Sequence, residues 1–291
     1  MEDRANQTTA ISPVMYVVFA VLLWSTGGLF IKLSTLDAYQ VTFFRSLLAG
    51  ITVLIVTRKR GLRINGFGII ASVIYATLLF LFVWATKHTT AANAIFLQYT
   101  APIYILILAP FVIGEKFHFR DLITIVFCIG GMSLFFVGKL EISDYQGNIA
   151  ALFSGIFLGI YIMLLRHKRA AAMNPTITVI YGNFLLAVVN LPSGIAAIPT
   201  ITWLDAGAVA FLGVFQIGIS YILFIKGVNL GTRPLDASII GFIEPLLNPV
   251  WVFLFLGEEP SRWALLGGAI IIATVIAHTF IQYRVKQPAA V

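Results

Sequence analysis

The sequence predicts an all-α membrane protein of ten transmembrane helices, arranged as two inverted five-helix repeats with both termini in the cytoplasm. Three observations lead to this fold class. Of the 291 residues, 59% are hydrophobic and 11% are charged, whereas soluble domains carry about 25% charged residues. Ten long apolar runs follow one another with short loops between them. One stretch of the first half also recurs in the second half.

Each apolar run is about 20 residues long, which is the length that a helix needs to cross a bilayer. The runs are continuously apolar, whereas the strands of a membrane barrel would alternate apolar and polar residues. Because the loops are short, consecutive helices are expected to be antiparallel neighbours with no soluble domain between them. The predicted spans lie near residues 14–33, 38–57, 66–86, 91–113, 121–138, 147–165, 175–196, 206–225, 235–256 and 263–282.

The start of the chain is polar, and no small-residue cleavage site follows a short apolar core. We therefore expect the first apolar run to be a retained helix rather than a signal peptide. The only cysteine, Cys128, lies within an apolar run, so no intrachain disulfide is possible.

Loop lysines and arginines predict the orientation, because cytoplasmic loops carry an excess of both. With the N-terminus inside, fourteen basic residues fall on the cytoplasmic side and four on the outer side, and Arg45 lies within a span. The inner set is Arg4, Arg58, Lys59, Arg60, Arg63, Lys116, Arg120, Arg166, Lys168, Arg169, Lys226, Arg233, Arg284 and Lys286, and the outer set is Lys32, Lys87, Lys139 and Arg262.

The repeated stretches are Ala94–Glu115 and Ala237–Glu258, in which Ala, Pro, Gly and Glu recur at one offset of 143 residues. Their prolines, Pro102 and Pro245, are expected to bend a span, because proline removes a helical hydrogen bond. The recurrence predicts a duplication, with spans 1–5 in residues 1–140 and spans 6–10 in residues 141–291. An odd number of spans per half inverts the second half, and such repeats hold their site near the midplane.

Several motifs resemble those of the drug/metabolite transporter superfamily, and in particular its ten-span EamA-type branch. They are Leu22-Leu23-Trp24-Ser25, Phe44-Arg45-Ser46-Leu47-Leu48-Ala49 and the two Pro…Gly-Glu stretches. The chain is most similar to bacterial exporters of aromatic and other amino acids within that branch. This resemblance implies a multi-pass protein of a bacterial-type inner membrane that exports amino acids and related flat organic cations. One departure is that Asn183 stands where the second half would repeat Arg45.

Glu244 is the foremost candidate for a functional side chain. It precedes Pro245 inside an apolar span and shares a helical face with Gly241 and Asn248. A carboxylate in hydrocarbon is costly, so it should face a partner or a water-filled cavity. Two roles stay open: it binds a substrate ammonium or couples protons, or it satisfies backbone groups that the proline leaves free.

Arg45 also has two possible roles. Its fork of N–H donors suits a substrate carboxylate, or it holds helices together through backbone carbonyls. The family resemblance places an arginine here across very different substrates, and this favours the structural role.

A largely apolar cavity with a few polar groups is expected between the halves. Its predicted lining consists of aromatic rings, which suit stacking and cation–π contacts, and of polar side chains deep within spans. These rings are Trp24, Tyr75, Phe82, Tyr99, Phe157 and Tyr161, and the polar side chains are Gln98, Asn183, Gln216, Ser220, Glu244 and Asn248. For each of these rings and polar side chains, ordinary packing between helices is the alternative role. Gly155 and Gly159 form a small-xxx-small pair, which predicts close helix packing.

Other function classes fit the sequence less well. No Walker loop, HExxH motif or nucleophile motif occurs, which argues against an ATP-driven pump and a membrane-embedded enzyme. A channel would need a ring-forming filter segment. A carrier of nucleotide sugars or phosphorylated metabolites would need several basic residues in its cavity. We therefore expect a secondary transporter with a small-molecule substrate, in contact with lipid, without cofactor, metal or nucleic acid. The substrate, the coupling ion and the oligomeric state stay open, and a monomer satisfies the sequence.

Overall fold

The computed structural model describes residues 11–89, 91–134, 137, 145–256 and 262–286, and within these ranges the regular structure is entirely helical. The α-helices are α1 Pro13–Trp24, α2 Gly27–Leu33, α3 Ala38–Thr57, α4 Gly66–His88, α5 Ala91–Gln98, α6 Ala101–Val112, α7 Phe119–Leu134, α8 Tyr145–Leu164, α9 Ile177–Val189, α10 Leu191–Ala197, α11 Trp203–Phe211, α12 Ser220–Asn229, α13 Pro234–Ile240, α14 Ile243–Leu256 and α15 Arg262–Lys286. A π-helical segment, Leu212–Ile219, joins α11 to α12, and short 3₁₀ turns occupy Arg58–Arg60 and Lys168–Ala170.

Six continuous helical stretches are long and apolar enough to cross a membrane. They are Pro13–Leu33, Ala38–Arg60, Gly66–His88, Asn93–Val112, Tyr145–Leu164 and Trp203–Asn229. A seventh span results if α9 and α10, bent by 65°, are counted together. The remaining predicted spans fall on α7, on α13 with α14, and on α15. The prediction of an all-helical chain with several apolar spans is confirmed for the described residues, while the count of ten and the inverted arrangement stay predictions.

Side-chain caps begin several of these helices in the polar loops that separate the apolar runs. Asp37 and Gln40 form a reciprocal capping box at the start of α3, and Asn65 accepts from the backbone N–H of Gly68 at the start of α4. Such caps satisfy N–H groups that have no partner within the helix. The helix starts are therefore encoded locally, independently of the surrounding bilayer.

The most extensive helix contacts connect the two halves of the chain, residues 1–140 and 141–291. Helix α4 packs against α8 and α9, α3 packs against α9 and the π-helical segment, α1 packs against α12, and α7 packs against α15. The interface between the halves is therefore the interior of the protein.

Both repeated stretches are interrupted just before their prolines. Helix α5 ends at Gln98 and α6 begins at Ala101, and in the second half α13 ends at Ile240 and α14 begins at Ile243. Pro102 and Pro245 thus lie in the first turn of a new helix. The N–H groups of a first turn have no partner within the helix, so proline can be placed there without the loss of a helical hydrogen bond. Each proline stabilises the restart of a helix after a break. Gly257 and Glu258, which end the second stretch, lie outside the described residues.

Two glycines allow α8 to approach the first break closely. A Cβ at Gly155 would lie 2.6 Å from the backbone oxygen of Gln98, and a Cβ at Gly159 would lie 3.1 Å from that of Ala101. Helix α8 can reach these carbonyls because it has no side chains at these two positions.

Gly155→Ala is expected to lower the midpoint of thermal unfolding in detergent, because the added methyl group would press on the backbone at the break. Overpacking of this kind costs about 1–3 kcal/mol. The matched control is Gly130→Ala, since a Cβ at this exposed helical position would meet no atom within 4 Å. There alanine should leave stability unchanged or raise it by up to about 1 kcal/mol. Equal midpoints for the two variants would contradict the close approach.

Candidate functional site

A central cavity of about 30 Å³ lies between the two halves. Side chains from both halves line it: Trp24, Arg45, Leu78, Leu79, Phe82, Gln98, Tyr99, Leu158, Gln216, Ile217, Tyr221 and Glu244. Seven of these residues are among those that the sequence singles out: Trp24, Arg45, Phe82, Gln98, Tyr99, Gln216 and Glu244.

Glu244 lies in the first turn of α14, directly after the second break, and is 5% exposed. Tyr99 lies within the first break, and its hydroxyl donates to Oε2 of Glu244 over 2.6 Å. The two helix breaks, one in each half, therefore meet through a short hydrogen bond to a buried carboxylate. Such bonds to an ionised acceptor are about twice as strong as neutral ones.

Arg45 is completely buried in the middle of α3. Its Nη2 donates to the backbone oxygen of Leu79 over a long 3.3 Å. Among the described residues, neither Nε nor Nη1 of Arg45 has a hydrogen-bond partner. The structural role that the sequence favours would use this guanidinium for backbone carbonyls, and the structure shows one such bond.

The amide and hydroxyl groups around the cavity are fixed by their own hydrogen bonds. Gln98 donates through Nε2 to Ser154 Oγ over 2.7 Å, and Trp24 donates through Nε1 to Ser220 Oγ over 2.7 Å. Oε1 of Gln216 is buried and has no partner in the described part of the chain. The cavity thus presents two unpaired donors on Arg45 and one unpaired acceptor on Gln216.

Tyr221 lines the cavity although the sequence gives no reason to select it. Its ring lies 4.9 Å from that of Trp24, centroid to centroid. The π-helical segment, in which hydrogen bonds run from residue i to i+5, contains Gln216 and ends two residues before Tyr221. Its wider turn changes the helical register between the two residues, and both line the cavity. A search at α-helical spacing pairs Gln216 with Ser220 and passes over Tyr221.

Three tyrosines separate the central cavity from a second cavity of about 330 Å³. The rings of Tyr75 and Tyr161 are 5.0 Å apart, and that of Tyr75 is 4.9 Å from Tyr221. Tyr221 lines the central cavity and Tyr161 the second one. We call Tyr75, Tyr161 and Tyr221 the tyrosine layer. The second cavity is bounded mainly by residues 164–178, which include a loop predicted to be cytoplasmic.

The other residues that the sequence predicts for the site do not line the central cavity, or their side chains lie outside the described residues. Asn183 donates to the hydroxyl of Tyr75 over 3.0 Å and so supports the tyrosine layer. Phe157 packs against the apolar core, away from the cavity lining. The side chain of Asn248 lies outside the described residues. No three His, Cys, Asp or Glu side chains are grouped as metal ligands would be, within the part of the chain that the structure describes.

At one end of the interface, a carboxylate of the second half accepts hydrogen bonds from the first half. Asp205 accepts from Ser34 Oγ over 2.9 Å, from the Thr35 backbone N–H over 2.7 Å and from Thr35 Oγ1 over 3.0 Å. We call this the Asp205 contact. It joins the loop that follows α2 to the first turn of α11, and the positive-inside rule predicts both on the outer side.

At the other end, Arg233 of the second half binds acidic residues of the first half. Its Nη2 lies 3.0 Å from Asp121 Oδ2 and its Nε 3.6 Å from Glu115 Oε2, while its Nη1 lies 3.5 Å from Asp236. Burial acts to lower the pKa of Arg233, but Asp236, Asp121 and Glu115 act against it and raise the pKa overall. Burial raises the pKa of Glu115 despite the neighbouring guanidinium. We call this the Arg233 cluster, which lies on the predicted cytoplasmic side.

A many-helix membrane chain with a polar cavity between its halves, and with contacts between those halves at both ends, has the organisation of a membrane transport protein. Comparison with known proteins agrees with this class. The sequence pattern of the EamA-like transporter family matches residues 11–137 and again residues 145–280. The chain therefore belongs to the EamA-like transporter family, as the motifs in its sequence predict.

Relatives along nearly the whole chain are transporters as well. An uncharacterised transporter of Archaeoglobus fulgidus is 26% identical, over 89% of this chain and 93% of its own length. The pseudopaline exporter CntI of Pseudomonas aeruginosa is 24% identical, over 91% and 95%. Human solute carrier family 35 member G1 is 22% identical, over 90% and 77%. A solved crystal structure superposes with a TM-score of 0.78, over 92% of this chain and 97% of its own, at 19% identity, which shows a shared fold.

Arg233→Gln is expected to destabilise the protein by about 1–3 kcal/mol at neutral pH, because it removes the cation that Glu115, Asp121 and Asp236 share. Burial raises the pKa of Glu115, so this carboxylate is the one that gains a proton as the pH falls, and the loss should shrink between pH 7 and pH 5. Thermal unfolding of wild type and variant at both pH values measures this. Arg169→Gln, at an exposed position on the same predicted side, serves as the control. A loss that is equal at the two pH values would contradict the ion-pair description.

Proposed function

We propose that this protein is a secondary transporter that exports amino acids, both aromatic and other neutral ones, across a bacterial-type inner membrane by alternating access. The single observation that carries the proposal is the central cavity. Both halves contribute to it, and its lining combines aromatic and aliphatic side chains with a few polar groups. This is the usual composition of a small-molecule site.

Two observations support the predicted architecture of ten spans in two inverted repeats. The family pattern matches the chain twice, once in each half. The two repeated stretches also break at corresponding places, after Gln98 and after Ile240. Five spans per half would insert the second copy upside down, and the halves would then rock about a midplane site.

The tyrosine layer suggests the path of the substrate. In the predicted orientation the second cavity opens toward the cytoplasm, and the tyrosine layer lies between it and the central cavity. A substrate that enters from the cytoplasm would therefore have to displace these rings before it reaches the site. Aromatic side chains at such a constriction can stack on an aromatic substrate as it passes.

The contacts at the two ends of the interface suit alternating access. Opening the site toward one side requires the contacts between the halves at that end to break while those at the opposite end persist. The Arg233 cluster would have to break for entry from the cytoplasm, and the Asp205 contact for release outside. Each consists of polar groups that water can solvate once the halves separate.

The chemistry of the cavity favours amino acids over phosphorylated substrates. Among the described lining residues Arg45 is the only basic one, whereas a nucleotide sugar or a phosphorylated metabolite would need several cations. The relative from Pseudomonas aeruginosa is named for the export of pseudopaline, and this supports the direction of transport. The relatives and the family are transporters, and no residue cluster at the cavity favours a membrane-embedded enzyme instead.

Counterflow in proteoliposomes tests the proposed activity. Vesicles loaded with unlabelled tryptophan should accumulate labelled tryptophan, and the initial rate should saturate. Trp24→Phe should raise the concentration of tryptophan at half-saturation roughly two- to tenfold. The smaller ring offers less surface for stacking on the substrate and is no longer held in place by the hydrogen bond to Ser220, and an aromatic contact of this kind is worth about 0.5–1.5 kcal/mol. Trp203→Phe is the matched control, since Trp203 is 92% exposed. No exchange of any amino acid by folded protein would overturn the proposed activity.

The orientation can be tested through the single cysteine. On a Cys128→Ser background, cysteine at position 169 should react with an impermeant maleimide only in inside-out vesicles. Cysteine at position 37 should react only in right-side-out vesicles. Both sites are exposed in the structure, so a difference in reactivity reports the side of the membrane. The reverse labelling pattern would contradict the orientation with both termini in the cytoplasm.

A further inference from the structure

The buried guanidinium of Arg45 is incompletely paired. It is completely buried, it makes one long hydrogen bond to the backbone, and its Nε and Nη1 lack partners among the described residues. Burying an ion costs several kcal/mol unless good hydrogen bonds replace those to water. The unpaired donors, Nε and Nη1, lie on different edges of the guanidinium, and each edge is completed by Nη2. Nη2 carries two hydrogens and makes a single long bond to Leu79, so either edge can offer a second N–H to the two oxygens of a carboxylate.

A buried carboxylate from the other half lines the same cavity. Glu244 is held by the hydroxyl of Tyr99, and it lines the central cavity together with Arg45. Arg45 and Glu244 do not pair with each other, since the one hydrogen bond of Arg45 goes to Leu79. The lining of the cavity therefore combines a basic group from the first half with a carboxylate from the second half, and the two form no ion pair with each other.

Gln216 adds an acceptor to this arrangement. Its Oε1 is buried and has no partner in the described part of the chain. A ligand that satisfies all of these groups must offer an anion with two acceptor atoms to Arg45 and a cation with several donor hydrogens to Glu244 and Gln216. A carboxylate and an ammonium group in one molecule meet this requirement.

We propose that Arg45 and Glu244 recognise the two charges of a zwitterionic amino acid, Arg45 its carboxylate and Glu244 its ammonium group. This assignment rests on the proposed function and specifies the part of the substrate that the site reads. Trp24 and Phe82, which line the same cavity, face the substrate side chain. A zwitterion brings no net charge into the membrane interior. Its carboxylate pairs with Arg45 and its ammonium group with Glu244, so no charge is left without a partner.

The assignment also explains why the two groups come from different halves. Arg45 lies on α3 and Glu244 on α14. A zwitterion between them connects the halves, whereas a ligand with only one charge pairs with only one half. Recognition of both charges would therefore favour the closed arrangement around the site, because binding then stabilises the state that makes both contacts.

Three indole compounds separate the two charges: tryptophan, tryptamine, which lacks the carboxylate, and 3-indolepropionate, which lacks the ammonium group. Each competes, in wild-type proteoliposomes, with labelled tryptophan in counterflow. Tryptophan is expected to compete at least about tenfold better than either analogue, which is the effect of losing one charge-assisted interaction. Equal competition by the three compounds would overturn the assignment without any mutation.

Two variants then assign each charge to its residue. Arg45→Gln should abolish the preference for tryptophan over tryptamine while it keeps the preference over 3-indolepropionate. Glu244→Gln should show the opposite pattern. Arg63→Gln, at an exposed position, should leave both preferences as in wild type. Each preference is a ratio measured with one protein, so it does not depend on the amount of protein reconstituted. If Arg45→Gln does not fold, the competition in wild type still tests whether both charges of tryptophan are recognised.

The outcomes distinguish this assignment from the function on which it rests. Amino-acid exchange in which Arg45→Gln weakens all three compounds equally would overturn the assignment and leave the proposed transport intact. No exchange of any amino acid by folded wild-type protein would overturn the proposed transport itself. The crossed pattern of preferences in the two variants supports both.

Discussion

Within a bilayer every backbone N–H and C=O group has to find its partner inside the protein, and the architecture depends on this constraint. The described part of the chain meets it with helices, and the two breaks next to the cavity meet it locally. The N–H of Thr100 bonds to Leu97 and that of Phe242 to Ile239. A chain can leave helical geometry at such depth only where it faces protein or a cavity. The breaks and the site therefore occur together because irregular backbone is tolerated at few other places.

The same constraint applies more strongly to charge. Arg45 and Glu244 remain in the interior at a considerable energetic cost. Each is fixed by a neighbouring group, a backbone oxygen of α4 in one case and the hydroxyl of Tyr99 in the other. The apolar lining and these few charges have complementary effects. The rings exclude water and so strengthen each polar contact. In the proposed function the polar groups would supply the chemical selectivity that apolar surfaces alone do not provide.

Much of this organisation could be predicted from the sequence, because the signals concerned are local. Long apolar runs predict helices, and the motifs around Trp24 and Arg45 predict the family. The site was predictable in part: Trp24, Gln98, Tyr99 and Glu244 do meet at one cavity. Tyr221 was not predictable, because an α-helical spacing places it on another face than Gln216.

The contacts at the ends of the interface were not predictable for a different reason. Arg233 and Asp121 are 112 residues apart in sequence, and Asp205 and Ser34 are 171 apart. Each residue taken alone is an ordinary loop or helix-start charge. Their pairing depends on how the halves dock, and neither composition nor spacing records this.

The number of residues in the π-helical segment Leu212–Ile219 determines which side chains after it face the cavity. A wide turn of this kind holds more residues than an α-helical turn, so the residues before it and those after it follow two different registers. Asp205 belongs to the first register, and Ser220 and Tyr221 belong to the second. In the α-helix that follows the wide turn, each residue adds about 100° of rotation, so a single-residue change of length that the wide turn did not absorb would turn Ser220 and Tyr221 away from their present side. In evolutionary terms, insertions and deletions here are not neutral changes of length, because they would alter which side chains reach the cavity while the loops at both ends stay the same.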